Sequence, residues 1–258
     1  MKTAVVGHVE WGEFVRVDDL PAAGDIVHAR EWWEEAAGGG SDAAVQLAKL
    51  AGGASFFTAL GDDDIGQRAI DELQQKDLHV YAALRHESSR RALTHIDSAG
   101  ERTITIIGSR LAPHASDPLP WGELEDTDAV YVTAGDVEAL RWARRAKVVV
   151  ATARILPLLR EAGIGLDAIV GSANDPAEAF TEGDLDPAPR LVVLTAGEGG
   201  GTFTVRGQSP TRYESVPPPG PVVDRYGAGD SFAGGLTYAL AAGLPPADAV
   251  HVAARCGA

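Results

Sequence analysis

The chain has 258 residues, 45% of them hydrophobic and 23% charged, which excludes a disordered or fibrous protein and leaves a sizeable core for one large α/β domain or two small ones. Lys and Arg number 22 against 37 Asp and Glu, a net charge of −15. The basic residues are scattered apart from small groups such as Arg141, Arg144, Arg145 and Lys147, so nucleic acid is a poor partner, while a single phosphate held by local N–H groups and a metal ion stays open. One cysteine, Cys256, excludes an internal disulfide, and the charged opening MKTAVVGHVEWGE lacks an apolar signal segment. No run reaches the roughly 18 to 20 apolar residues of a membrane span, so a cytoplasmic protein without membrane contact is expected.

In chain order, residues 3–7 read as a buried strand, 42–50 and 64–75 as amphipathic helices, 129–133 as a strand and 138–146 as a helix. A strand at 148–152, a helix at 155–162 and strands at 168–171 and 191–195 follow. Short apolar runs alternating with amphipathic helices predict an α/β core with a mostly parallel sheet. Two stretches, 14–31 and 79–108, alternate instead, as in Thr94-His95-Ile96-Asp97, a turn at Ala99-Gly100, and Arg102-Thr103-Ile104-Thr105-Ile106. They predict an antiparallel excursion, either a lid over a pocket or a plain surface hairpin. Pro217, Pro218, Pro219, Gly220 and Pro221 form a stiff connector into the most informative segment.

That segment, Asp224-Arg225-Tyr226-Gly227-Ala228-Gly229-Asp230-Ser231-Phe232, runs into an apolar helix. Small residues at a helix start leave N–H groups free for an anion, with the helix dipole behind them. Asp230 reads two ways there, as a helix cap or as a catalytic carboxylate.

The string Asp-x-x-Gly-Ala-Gly-Asp-x-Phe resembles the C-terminal signature of the ribokinase-like (PfkB-type) carbohydrate kinases. Gly38-Gly39-Gly40-Ser41-Asp42-Ala43-Ala44 is similar to that family's glycine-rich sugar-binding segment, and Gly61-Asp62-Asp63-Asp64-Ile65-Gly66 to its Gly-Asp-Asp-x-x-Gly turn. Leu194-Thr195-Ala196-Gly197-Glu198-Gly199-Gly200 looks like its nucleotide-phosphate turn. The resemblance implies one three-layer ribokinase-like domain over 1–258, with a mostly parallel central sheet and a small β lid formed by about 10–36 and 79–108. It implies ATP- and magnesium-dependent phosphorylation of a hydroxymethyl group on a sugar, polyol or nucleoside, and a homodimer through the lid. Carried over by position, Asp230 becomes the general base and the Gly227, Ala228 and Gly229 backbone the anion hole. Thr195, Gly197 and Gly200 fall on ATP, while Glu10, Gly39, Gly40, Asp42 and Asp230 fall on the acceptor. Glu198 reads as an exposed turn acid.

This chain departs from the family pattern at several positions. Asp175 and Glu178 stand where an Asn-x-x-Glu helps order magnesium through water; their alternative is a plain helix start. Arg225 follows Asp224 where a small hydroxyl residue is usual, which disfavours a monovalent cation beside Asp224. Asp42 replaces an asparagine, offering an acceptor-only carboxylate in place of an amide. Gly12 replaces an aspartate, with Glu10 and Glu13 the nearest substitutes. His8, Glu10 and Trp11 follow the first strand, and Trp11 reads equally as sugar-stacking or core; Trp32 and Trp33 read as lid or interface packing. Beyond Ala258 the family pattern would continue with a further strand and helix.

A nicotinamide enzyme is disfavoured, because Gly38-Gly39-Gly40-Ser41-Asp42-Ala43 does not follow the first strand. A serine hydrolase lacks its closing glycine after Gly229-Asp230-Ser231-Phe232-Ala233. The sequence contains neither a Walker Gly-Lys-Ser/Thr string nor zinc-type Cys/His spacing. The alternative kept is a catalytically weak or inactive relative that binds a polyol or nucleotide. The acceptor is not legible, although the net charge of −15 weighs weakly against a strongly anionic one.

Overall fold

Continuous Val- and Ala-rich runs such as Thr3–Val6 and Ala129–Val132 are buried along their whole length, as strands are when a sheet is covered on both faces. The computed structural model describes residues 1–222 and 224–258. In chain order its strands and helices are β1 (Thr3–Val6), β2 (Glu10–Arg16), β3 (Glu31–Ala37), α1 (Gly39–Ala51), β4 (Ala54–Gly61), α2 (Asp64–Gln74), β5 (Leu78–Arg85), β6 (Arg91–Ile96), β7 (Arg102–Ile107), β8 (Ala129–Val132), α3 (Val137–Ala143), β9 (Val148–Thr152), α4 (Leu156–Ala162), β10 (Ala168–Ser172), β11 (Leu191–Thr195), β12 (Gly201–Val205), β13 (Thr211–Tyr213), α5 (Ala228–Ala241) and α6 (Pro246–Cys256).

Among the described residues the strands form a nine-stranded sheet, β13-β12-β11-β10-β9-β8-β1-β4-β5, and a four-stranded sheet, β3-β2-β6-β7. From β5 to β11 the large sheet is parallel, and β12 and β13 extend it antiparallel. Successive residues of β1 serve opposite faces. Val5 joins a core with Leu47 of α1, Leu73 of α2, Leu236 of α5 and Val250 of α6. Ala4 and Val6 join another with Leu140 of α3, Leu159 of α4 and Trp121. The three-layer α/β expectation holds.

The second alternating stretch divides differently from the expectation. Residues 78–85 form β5, an edge strand of the large sheet paired in parallel with β4, and the small sheet resumes only at Arg91. An edge strand covered mainly on one face carries the same alternating pattern as a hairpin, which is why 79–85 read as part of one. The small sheet consists of two antiparallel hairpins whose inner strands, β2 and β6, run parallel to each other.

Chain order reverses direction across the large sheet between β1 and β8. Ligands of open α/β sheets bind at such a switch point, beyond the carboxyl ends of the strands. Gly7 and His8 emerge there from β1, and α1 is pressed against them: a Cβ on Gly40 would overlap the His8 carbonyl oxygen and lie 2.8 Å from its nitrogen. Gly40→Ala is expected to lower unfolding stability in urea by at least about 1–3 kcal/mol, the usual cost of overpacking. Gly122→Ala, where an added Cβ meets nothing within 4 Å, is expected to change it little. Equal effects of the two would contradict the packing.

Candidate active site

Two helix N-termini meet at this edge. Helix α1 starts from Gly38 at φ 100° and α5 from Gly227 at φ 70°, conformations that favour glycine. Neither start is capped by a described side chain. Asp230 therefore does not cap its own helix; it sits inside the first turn and faces the other one. Its Oδ1 lies 2.7 Å from where a Cβ on Gly39 would stand, and Asp42 Oδ2 lies 3.2 Å from where one on Gly227 would stand. Each glycine leaves room for the carboxylate of the opposite helix.

Solvent reaches part of Asp230, but protein surrounds it. Desolvation and the nearby Glu178 and Glu10 push its pKa up to about 6, against the pull of Arg102 and Arg154. Burial, followed by Asp230, Glu35 and Glu10, raises Asp42 well above the ordinary carboxyl range, with Lys76 opposing. The shift favours the neutral acid, which donates as well as accepts. The acceptor-only character expected of Asp42 is thereby moved back towards that of an amide.

The small sheet closes one side. Glu10 is 7% exposed, and its Oε2 lies 2.9 Å from Arg90 Nε while Tyr226 Oη donates to Oε1 at 3.5 Å. Tyr226 also stands edge-on to Phe14 at 4.9 Å and under Arg102, whose guanidinium donates to the Arg225 carbonyl at 3.0 Å. Gly12, where an aspartate was expected, is required by packing, since a Cβ there would collide with the Phe14 ring. Glu13 turns away to Arg91 at 2.6 Å. Trp11 is core: it is 4% exposed and lies under Arg68, 4.4 Å from its ring centroid, so the sugar-stacking reading of it is set aside. Trp33 stacks on Phe14 at 5.0 Å, while Trp32 is 68% exposed.

The Gly61–Gly66 turn serves as a clamp. Asp63 accepts from the Gly66 and Ser89 amides at 2.8 Å and from Ser89 Oγ at 2.7 Å. It ties the start of α2 to the segment that delivers Arg90.

Along the same edge, Thr195 ends β11 and donates to the Gly171 carbonyl at 3.2 Å. The turn after it passes through Gly197 at φ 58° and Gly200 at φ 76°, and a Cβ on Gly200 would overlap the Tyr213 carbonyl oxygen. Arg225 bridges this turn to the small sheet, pairing with Glu198 at 2.6 Å and Glu101 at 3.3 Å. Glu198 is exposed as expected, yet it has this partner. Asp224 accepts from the Tyr226 amide at 3.0 Å.

Asp175 and Glu178 come together, but around a cation of the protein itself. Arg154 reaches Asp175 and Glu178 at 2.6 Å each, and Asp175 also accepts from the Ala177 amide at 2.9 Å, the helix-start role. Among the described residues no group of three or more His, Cys, Asp or Glu side chains is placed to hold a metal. With both carboxylates neutralised by a guanidinium, the pair does not fit a magnesium ion, and no step is derived through one held there.

The structure thus gathers Asp230, Gly227, Ala228, Gly229, Gly39, Gly40, Asp42 and Glu10 at one place, with Thr195, Gly197 and Gly200 farther along the same edge. Sequence reasoning missed Arg90, Arg110, Arg154 and the role of Tyr226. Isolated arginines after strand ends carry no local signal; only the topology brings them together.

The pfkB family carbohydrate kinase model matches residues 2–159 and 165–258. The chain is 26% identical to a fructokinase of Salmonella typhimurium over 86% of this chain and 84% of that protein. It is 44% identical to an acarbose 7(IV)-phosphotransferase of Actinoplanes sp., over only 27% of this chain and 23% of that protein. Arabidopsis thaliana ribokinase, solved with ribose and ATP, superposes with a TM-score of 0.73 at 20% identity, covering 98% of this chain and 89% of that one.

The site stores instability that can be measured. A carboxyl whose folded pKa of about 6 exceeds its ordinary 3.8 binds its proton more tightly when folded, so it costs stability at neutral pH, and the cost fades as pH falls from 6 towards 3.8. Asp230→Asn is expected to raise unfolding stability at pH 7.5 by up to about 3 kcal/mol, with the gain vanishing below pH 4. A uniform loss across pH would contradict the assignment.

Proposed function

Since the chain belongs to the pfkB family of carbohydrate kinases, we propose that it transfers the γ-phosphoryl group of ATP to a hydroxymethyl group of a sugar, polyol or nucleoside in the cytoplasm. The observation that carries this reading is the meeting of Asp230 with the uncapped start of α5, opposite the glycine-rich start of α1. The acceptor lies over Gly39 and Gly40, with Asp42, Glu10 and Asp230 as its polar contacts. Asp230 accepts the hydroxyl proton as the acceptor oxygen bonds to the γ-phosphorus and the bond from that phosphorus to the bridging oxygen of ADP breaks. The free N–H groups of Gly227, Ala228 and Gly229, with the α5 dipole behind them, face the charge that builds on the phosphoryl oxygens. The nucleotide phosphates lie along Thr195, Gly197 and Gly200.

Magnesium enters this reading as the counter-ion of the nucleotide phosphates. Asp175 and Glu178 belong to Arg154, and Arg225 beside Asp224 is engaged with Glu198 and Glu101, which disfavours a monovalent cation there. The small sheet acts as a lid that keeps water from the γ-phosphate. A lid-mediated homodimer belongs to the same reading, supported by exposed Trp32 and by Ile104, Ile106 and Ile107 on β7.

The test is ADP release with magnesium and ATP across a panel of sugars, polyols and nucleosides. At least one acceptor is expected to turn over, and Asp230→Asn to lower its kcat by about 10²–10⁴-fold, the span of general-base catalysis. For that acceptor, kcat/KM is expected to rise through a pH near 6, as Asp230 ionises, and then level off. Acceptors that raise the melting temperature without any ADP release would support the inactive binding relative instead.

A further inference from the structure

The opposite edge of the large sheet carries charge that no part of the candidate site uses. At the amino ends of β9, β10 and β11, away from the end where Thr195 closes β11, an open cleft of about 320 Å³ is lined by Arg144, Lys147, Asp167, Arg190 and Arg206 together with small and apolar residues. Arg144 and Lys147 come from the turn between α3 and β9, Asp167 directly precedes β10, Arg190 directly precedes β11 and Arg206 directly follows β12. Arg144 and Lys147 belong to the one basic group that stands out in the sequence. The fold adds two distant arginines to them.

One of the four cations is structural. Arg144 donates through Nη1 to Asp167 Oδ2 and to the Gly165 carbonyl, each at 2.8 Å, and through Nη2 to the Ala146 and Lys147 carbonyls at 2.7 and 3.2 Å. It forms a fixed side of the cleft. The other oxygen of Asp167 stands 3.1 Å from Arg190 Nη1, and Lys147 pairs at 2.7 Å with Asp128, which lies outside the lining. Arg206 donates to the Ala188 carbonyl at 3.2 Å and has no carboxylate partner among the described residues. Asp186, beside Pro187, does not line the cleft and makes no ion pair among those residues. Four cations against Asp167 and Asp128 leave two positive charges uncompensated.

Strand pairing holds two of these charges side by side. Leu191 faces Val205 across the antiparallel β11–β12 ladder, and the next residues continue it, with the Arg206 amide donating to the Arg190 carbonyl at 2.9 Å. Residues directly opposite on antiparallel strands share a face, and like charges there are destabilising. An anion between the two guanidiniums replaces that repulsion with attraction, and the planar guanidinium fork matches the oxygens of a phosphate. A phosphate group, close to doubly charged at neutral pH, also matches the size of the excess.

We propose that this cleft binds the phosphate group of a small molecule, a phosphate monoester or free phosphate, between Arg190 and Arg206 and against Arg144. Its volume falls at the lower end of small-ligand pockets, about 300 Å³. The site is separate from the candidate active site, because the length of β11, about 17 Å from Arg190 to Thr195, lies between them. The overall charge of −15 acts at long range and is screened by salt, whereas these guanidiniums act at contact.

The test titrates ligands calorimetrically into the full chain at constant ionic strength, with no nucleotide or sugar present. Inorganic phosphate and glycerol 3-phosphate are the probes, and glycerol and chloride the uncharged and monovalent controls. At least one phosphate probe is expected to bind saturably, and neither control to do so. Arg206→Gln is expected to weaken that binding at least about tenfold, as loss of a charge-assisted contact does. The double variant Arg190→Gln, Arg206→Gln is expected to abolish it, and Arg206→Lys, which keeps the charge without the fork, to fall between. Arg190 and Arg206 are exposed, and removing either relieves the like-charge pair, so the melting temperatures of the unliganded variants are expected to hold or rise. Comparable affinity for both probes assigns the site to phosphate esters, and a preference for inorganic phosphate assigns it to the free ion. No saturable binding of either probe to the wild type at millimolar concentration, or an affinity unchanged by Arg206→Gln and by the double variant, overturns the inference. Phosphate bound instead at Gly227–Gly229 would be indifferent to Arg206, so neither result bears on the kinase reading.

Discussion

The whole site depends on one steric allowance: two helices begin at the same sheet edge, and each begins without a side chain where the other's carboxylate must lie. Gly39 admits Asp230, and Gly227 admits Asp42. Both first-turn aspartates are desolvated in the narrow gap, with Glu178 and Glu10 bearing on Asp230 and Asp230 itself on Asp42, so both hold protons more tightly than usual. The helix N-termini behind them attract negative charge. A base that keeps some basicity near neutral pH, next to free N–H groups suited to a phosphoryl group, follows from that single packing arrangement.

The rest of the molecule supports this contact. Gly40 lets α1 lie on the backbone of His8, which fixes the α1 start relative to β1. Asp63 fastens the turn after β4 to the strand pair that carries Arg90. Arg225 links the Gly197–Gly200 turn to the small sheet through Glu198 and Glu101, and Tyr226, packed on Phe14 and reaching Glu10, seats that sheet over the α5 start. Positive charge is distributed by element, with Arg102 over Tyr226, Arg154 between Asp175 and Glu178, and Arg90 against Glu10.

Much of this was legible because it is local. Buried parallel strands announce themselves as unbroken apolar runs, as in β1, β8 and β9, and the Gly227–Asp230 string places a carboxylate one turn into a helix whatever surrounds it. What the sequence could not convey is pairwise. An alternating segment such as 78–85 is an edge strand or a hairpin depending on its neighbour, and Trp11 is core only because α2 lays Arg68 across it. The spacing of Asp175 and Glu178 suits a cation, but the residue that satisfies it, Arg154, comes from a different strand end. The donor capacity of Asp42 likewise belongs to its surroundings rather than to its identity.

The most direct measurement of the central contact is the titration of the Asp230 carboxyl carbon by ¹³C NMR, assigned by its loss in Asp230→Asn. If the two helix starts enclose Asp230 as described, its midpoint lies near 6 and falls when Glu178→Gln removes the carboxylate that most raises it. A midpoint near the ordinary 3.8, indifferent to Glu178, would mean that the carboxylate stands in open solvent and that the account of the site is wrong.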